Sequence, residues 1–205
     1  MNEASPYQSP QSDSVPPLPA GETESSAAQA FGVIHMIFGG MGILFGIWSI
    51  VGVFFSSAMS GVGMPQGPQR DSMIEVQKEY MAEVGWVSVM TGVFMLILAG
   101  LLLISGPKLW KKKAAGLRWS NRYAWTSIAT KVVSLVVGLL VVMPASHRMT
   151  EALVKNMPGS SDAMAGIMSV SSSLGVLLGP IIGLVYPILA LVMLNRPSVT
   201  RFLQD

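Results

Sequence analysis

Cysteine is absent from this 205-residue chain, and with it go disulfides, thiolate metal sites, cysteine nucleophiles and palmitoyl anchors. Charge is scarce too: 12% of the residues are Asp, Glu, Lys or Arg, against roughly 25% in soluble domains. Lipid rather than water is therefore the expected main solvent. The long apolar runs contain no Asp or Glu, which removes the midplane carboxylate that a proton- or sodium-coupled transporter uses. Histidine is limited to His35 and His147, at opposite membrane faces in the topology derived below, so neither a shared histidine metal site nor an intramembrane metalloprotease is expected. The first 30 residues hold no Lys or Arg and no short apolar core, so no cleavable signal peptide is read there. The first apolar run itself is expected to act as the targeting signal.

Hydrophobic residues make up 51% of the chain and gather into four runs, at 31–55, 86–105, 124–143 and 165–194. Each reaches the roughly 18–20 residues that a bilayer-spanning helix needs. The fourth exceeds that length, and Pro180 and Pro187 inside it are expected to kink it. The fold class is all-α: a polytopic membrane protein of four transmembrane helices. Residues 1–26 are rich in Ser, Pro, Gln and Ala and read as a disordered tail, 27–197 as the transmembrane domain, and 198–205 as a second short tail. The VPPLP stretch at Val15–Pro19 reads as a spacer rather than a docking motif.

Lys and Arg are retained on the cytoplasmic side of a membrane. Loop 106–122 carries Lys108, Lys111, Lys112, Lys113, Arg118 and Arg122, whereas the loops at 56–85 and 144–164 carry two basic residues each. Both termini are thus expected in the cytoplasm, in a cell membrane such as the bacterial inner membrane. Each outer loop is expected to hold a short amphipathic helix. The first would start at a capping box, Ser72-x-x-Glu75, with Met73, Val76, Tyr80 and Val84 on one face. The second would carry Met149, Leu153, Val154 and Met157 and stop at Pro158-Gly159. The two resulting span-helix-span units share no residue-level identity.

Two ionisable residues fall inside the spans, His35 and Lys131, and a buried charge marks a candidate site because lipid burial is costly. Lys131 lies nine residues past Arg122, or about 13 Å deeper at 1.5 Å per residue. It is expected either to snorkel toward the cytoplasmic headgroups, with His35 bonded to a nearby carbonyl, or to line a polar cleft with His35 that takes an anionic lipid or ligand. Lys111, Lys112 and Lys113, flanked by Trp110, Trp119, Tyr123 and Trp125, fix topology and can recruit anionic lipid at about 1 kcal/mol per basic residue. A short hairpin pressed on a bilayer offers no surface for nucleic acid. The 15 methionines follow ordinary helical stripes without repeated Met-x-x-Met clusters, so they read as packing residues rather than copper ligands.

Glycine supplies the clearest packing signal. Gly175, Gly179 and Gly183 recur every four residues in the fourth span and open a groove there. The expected occupant is the Gly39, Gly42 and Gly46 face of the first span, with self-association as the alternative. The Gly-Pro, Lys/Trp hairpin and flanking apolar spans, from Gly106 through Trp125, resemble small uncharacterised four-helix membrane proteins of bacteria; the resemblance is architectural and carries over no functional residue. No nucleophile turn, metal cluster or cofactor motif is present in the sequence. The functional expectation is a non-catalytic membrane protein that packs with itself, a partner protein or lipid, the alternative being a small permease or channel-like subunit with a polar cleft near Lys131.

Overall fold

The structure is a computed structural model, and it describes residues 22–59, 67–156, 162–201 and 203. Backbone groups in lipid have no water to bond, so apolar runs close their hydrogen bonds internally as helices. The helices are α1 (Glu22–Met59), α2 (Pro68–Trp110), α3 (Ala114–Val137), α4 (Met143–Asn156), α5 (Asp162–Leu194) and the single turn α6 (Pro197–Thr200). A π-turn, Gly138–Val142, joins α3 to α4 without a break. Four helical stretches are long and apolar enough to cross a membrane, and there is no strand among the described residues.

Helices run further than the apolar runs alone suggest. The first loop helix is not separate: α2 is 43 residues long and continuous from Pro68, so Ser72 and Glu75 lie inside it rather than capping it. Pro68 and Gly67 make that start instead, since proline suits the first helical turn, where no amide hydrogen is needed. At about 64 Å, α2 is twice the length that a hydrocarbon core of about 30 Å requires. The second loop helix is likewise the continuation of the third span through the π-turn, as α4. Glu22–Ser26, expected in the disordered tail, are helical in α1, while residues 1–21 and Pro158-Gly159 lie outside the described residues. α5 passes through Pro180 and Pro187 as one helix.

The α2–α3 hairpin is closed by backbone geometry. The amide of Lys113 donates to the Lys108 carbonyl at 2.8 Å and that of Lys112 to Leu109 at 2.9 Å, the paired bonds of a Schellman C-cap. Lys112 occupies the left-handed position there, with φ of 55°, where glycine is usual. Gly116 lets α3 start close against this cap, since a methyl group on it would lie 2.6 Å from the Leu109 nitrogen. Above the cap, Trp119 is flanked by the Lys108 amine, 5.1 Å from the ring centre, and the Arg122 guanidinium at 4.9 Å.

α1 and α2 pair antiparallel through small residues seven apart on each. Gly32 faces Gly106, Gly39 faces Ala99 and Gly46 faces Gly92. A methyl on Gly32 would come within 2.8 Å of the Gly106 carbonyl oxygen, and one on Gly92 within 2.8 Å of that of Gly46. Seven residues return to one face of a slightly supercoiled helix, and close backbone approach is a main source of attraction in lipid. Ser49 fixes the far end by donating to the Ser88 carbonyl at 3.0 Å.

α3 pairs with α5. Asn121 and Asn195 exchange two amide hydrogen bonds, at 3.0 and 2.8 Å, near the hairpin end. Further along, Gly138 at the start of the π-turn faces Val176, whose carbonyl loses its helical donor to Pro180. At the end away from the hairpin Arg148 of α4 pairs with Glu83 of α2, and His147 Nε2 stands 3.4 Å from Ser173 Oγ. The starts of α1 and α3 and the end of α5 meet at the hairpin end around Ala28, Phe31, Leu109, Ala190 and Leu194, all buried.

Candidate functional site

Neighbour contacts run α1 to α2 to α3 to α5, while α1 and α5 scarcely touch. The gap between them is a lateral cleft of about 200 Å³. Its mouth is bordered by Phe38 and Gly42 of α1 and by Gly183 and Tyr186 of α5, and Leu102 and Lys131 lie on the floor formed by α2 and α3. Large apolar side chains border it, so its open side faces whatever surrounds the helices.

The hairpin-side wall is an aromatic cluster around His35, which is fully buried. Phe31 lies one turn before it, and the rings of Tyr123 and Tyr186 meet it edge-on at 6.0 and 5.8 Å. Ser120 Oγ stands 3.4 Å from His35 Nε2. Nδ1 lies against the Phe31 backbone without a well-formed hydrogen bond. Phe38 packs edge-on to Tyr186 at 4.7 Å, and the Tyr186 hydroxyl is buried with no partner among the described residues.

Lys131 enters from α3. Its Cε, Nζ and Cδ lie where a methyl group on Gly183 would be, at 2.8, 3.1 and 3.3 Å from that position. The register of α3 against α5 is bracketed by Asn121 with Asn195 and Gly138 with Val176. Gly183 therefore stands level with Lys131, and the side chain crosses to α5 instead of climbing toward the hairpin. Gly183 gives it room, and Tyr186, three residues on, shares that face. Among the described residues no carboxylate pairs with Lys131, the one ion pair being that of Glu83 with Arg148.

The glycine residues divide differently from the sequence expectation. Gly39, Gly42 and Gly46 pack on α2, not on α5. Gly175 and Gly179 have nothing within 4 Å of an added methyl, and Gly183 meets Lys131. The missed partners, Gly92, Ala99 and Gly106, carry a legible signal: the same seven-residue spacing as Gly32, Gly39 and Gly46. Lys111 and Lys113 are exposed on the hairpin and Lys112 is half-buried, all three apart from the cleft. Lys131 lines the cleft, while His35 lies buried behind Tyr123 and Tyr186, which do line it. No family model, curated protein or solved structure matches the chain. The site must be read from its chemistry alone.

Thr130 spends its hydroxyl on the Thr126 carbonyl at 2.8 Å, so it offers the cleft no free donor. Among the described residues no three His, Asp or Glu side chains gather as metal ligands. A second cleft of about 300 Å³, between Phe54 and Met81 at the far end, has only the exposed Lys78 as a charged neighbour. The Lys131 cleft differs in that its basic group is half-buried rather than exposed.

Proposed function

We propose that the chain is a non-catalytic integral membrane protein that holds a lipid-like molecule in the cleft between α1 and α5. The observation that carries this reading is the lateral opening, bordered by Phe38, Leu98 and Leu102 and reaching Lys131. An acyl chain can enter such an opening sideways from the bilayer without crossing a polar barrier. The basic hairpin adds affinity for an anionic leaflet, with Lys111 and Lys113 free to meet headgroups. Contact with a partner protein or a second copy would use other surfaces and does not compete with this role. A permease would need a polar path from end to end, and the hydroxyl of Thr130 is turned to its own helix.

Native mass spectrometry of the chain released from membranes in mild detergent tests the reading. The wild-type protein should carry a discrete lipid-sized adduct, and Leu98→Trp, which fills the cleft, should lose it while keeping its fold. A bare wild-type chain, or an adduct equally retained by Leu98→Trp, would overturn the assignment.

A further inference from the structure

Resting on that cleft, we infer that its ligand is a single-chain carboxylic acid, with the acid group on Lys131 and the chain running out between α1 and α5. The first support is charge. An amine inside a span needs a counter-charge, the spans contain no Asp or Glu, and no ion pair reaches Lys131 among the described residues. The side chain instead lies across Gly183 on the cleft floor. The second support is an unused donor. The buried Tyr186 hydroxyl, one turn from Gly183 on α5, has no partner among the described residues, and a carboxylate accepts from an amine and a hydroxyl alike.

Size and depth choose among acids. A cleft of about 200 Å³ is below the roughly 300–1,000 Å³ of pockets that enclose a drug-sized ligand. It suits a small acid group and the first part of one chain, with the remainder in the bilayer. Lys131 lies about 13 Å past Arg122, close to the middle of a core about 30 Å thick. A phosphodiester stays ionised and would bring its charge to that depth at a cost of several kcal/mol. A carboxylic acid can travel through the apolar region in its neutral form and give up its proton to the aqueous phase as it pairs with the lysine ammonium, leaving a pair without net charge.

The test uses the full chain in neutral detergent, titrated with oleate, with oleyl alcohol as its uncharged counterpart, and with dioleoyl phosphatidylglycerol as an anionic phospholipid. Oleate should bind at one per chain and at least tenfold tighter than either of the others. Lys131→Met should reduce oleate affinity at least tenfold and leave oleyl alcohol unchanged, and Lys131→Arg should restore part of the loss. Equal binding of oleate and oleyl alcohol, or no effect of Lys131→Met, would overturn the acid assignment, as would a preference for phosphatidylglycerol. Leu98→Trp separates the two levels. If it abolishes oleate binding while Lys131→Met does not, the cleft stands and the acid assignment fails. If oleate binds undiminished to Leu98→Trp, the cleft reading itself fails. Should Lys131→Met not fold, the oleate-to-alcohol ratio on wild-type protein decides alone.

Discussion

At the scale of single residues, the glycines separate into those that permit contact and those that meet nothing. Gly32→Leu would drive a side chain into the Gly106 carbonyl and the Trp110 backbone, both 2.8 Å from the added methyl position. Overpacking of this kind costs about 1–3 kcal/mol, or more when backbone is the obstacle. The thermal midpoint of the detergent-solubilised monomer should fall clearly. Gly179→Leu meets nothing within 4 Å, and the same measurement should find the monomer unchanged. Lys112 offers a change of opposite sign. Its left-handed backbone is disfavoured for a residue with a Cβ by about 1–2 kcal/mol, partly offset by the extra chain entropy that glycine loses on folding. Lys112→Gly should hold the midpoint or raise it slightly, the stability gain being no more than about 1 kcal/mol, while weakening sedimentation with anionic vesicles. A fall in stability would show that the Lys112 side chain holds the hairpin together.

At the scale of elements, the apolar spans were legible because most of each helix surface is apolar and turned outward. Leu44, Trp48 and Leu140, each at least 70% exposed, have no polar alternative to flank them. Helix ends were less legible. The Met73, Val76, Tyr80 and Val84 stripe suggested a separate amphipathic helix, but nothing between Glu79 and Trp86 breaks the backbone, so helix simply continues. The π-turn at Gly138–Val142 left no signal in hydropathy, since its residues are as apolar as their neighbours. Partner choice was hardest, because a small residue specifies how near a neighbour stands and not which helix it belongs to. Only the matched seven-residue spacing on α1 and α2 carries that information. For α3 and α5, the Asn121 and Asn195 pair supplies it. Interhelical polar contacts in membranes are worth about 0.6–2 kcal/mol. Asn195→Ala should cost about that much, measured as resistance of the solubilised protein to heat, and the double change with Asn121→Ala should cost little more. Additive losses would mean that the two amides work separately.

At the scale of the whole molecule, the start of α1 and the end of α5 gather beside the basic hairpin, so the first described helix begins and the last long helix ends on one side. We propose that this side is cytoplasmic, on the weight of six basic residues in the hairpin loop. A reporter active only outside the cytoplasm, fused to Asp205, should stay silent, and strong activity would reverse the orientation. Of the candidate site, the sequence disclosed Lys131 and His35 as intramembrane groups. It did not disclose the cleft, which opens where the α1 and α5 backbones stay apart while Phe38 and Tyr186 meet at its edge, nor Tyr186, whose role depends on standing one turn from Gly183.

The most direct test of the cleft is a photo-cross-linking residue placed in living membranes at Phe38, on its rim, and separately at Trp48, which is 74% exposed on the same helix. The account predicts a discrete acyl adduct at Phe38 that an excess of oleate suppresses, and diffuse lipid labelling at Trp48 that oleate leaves unchanged. Identical, unsaturable labelling at both positions would contradict it.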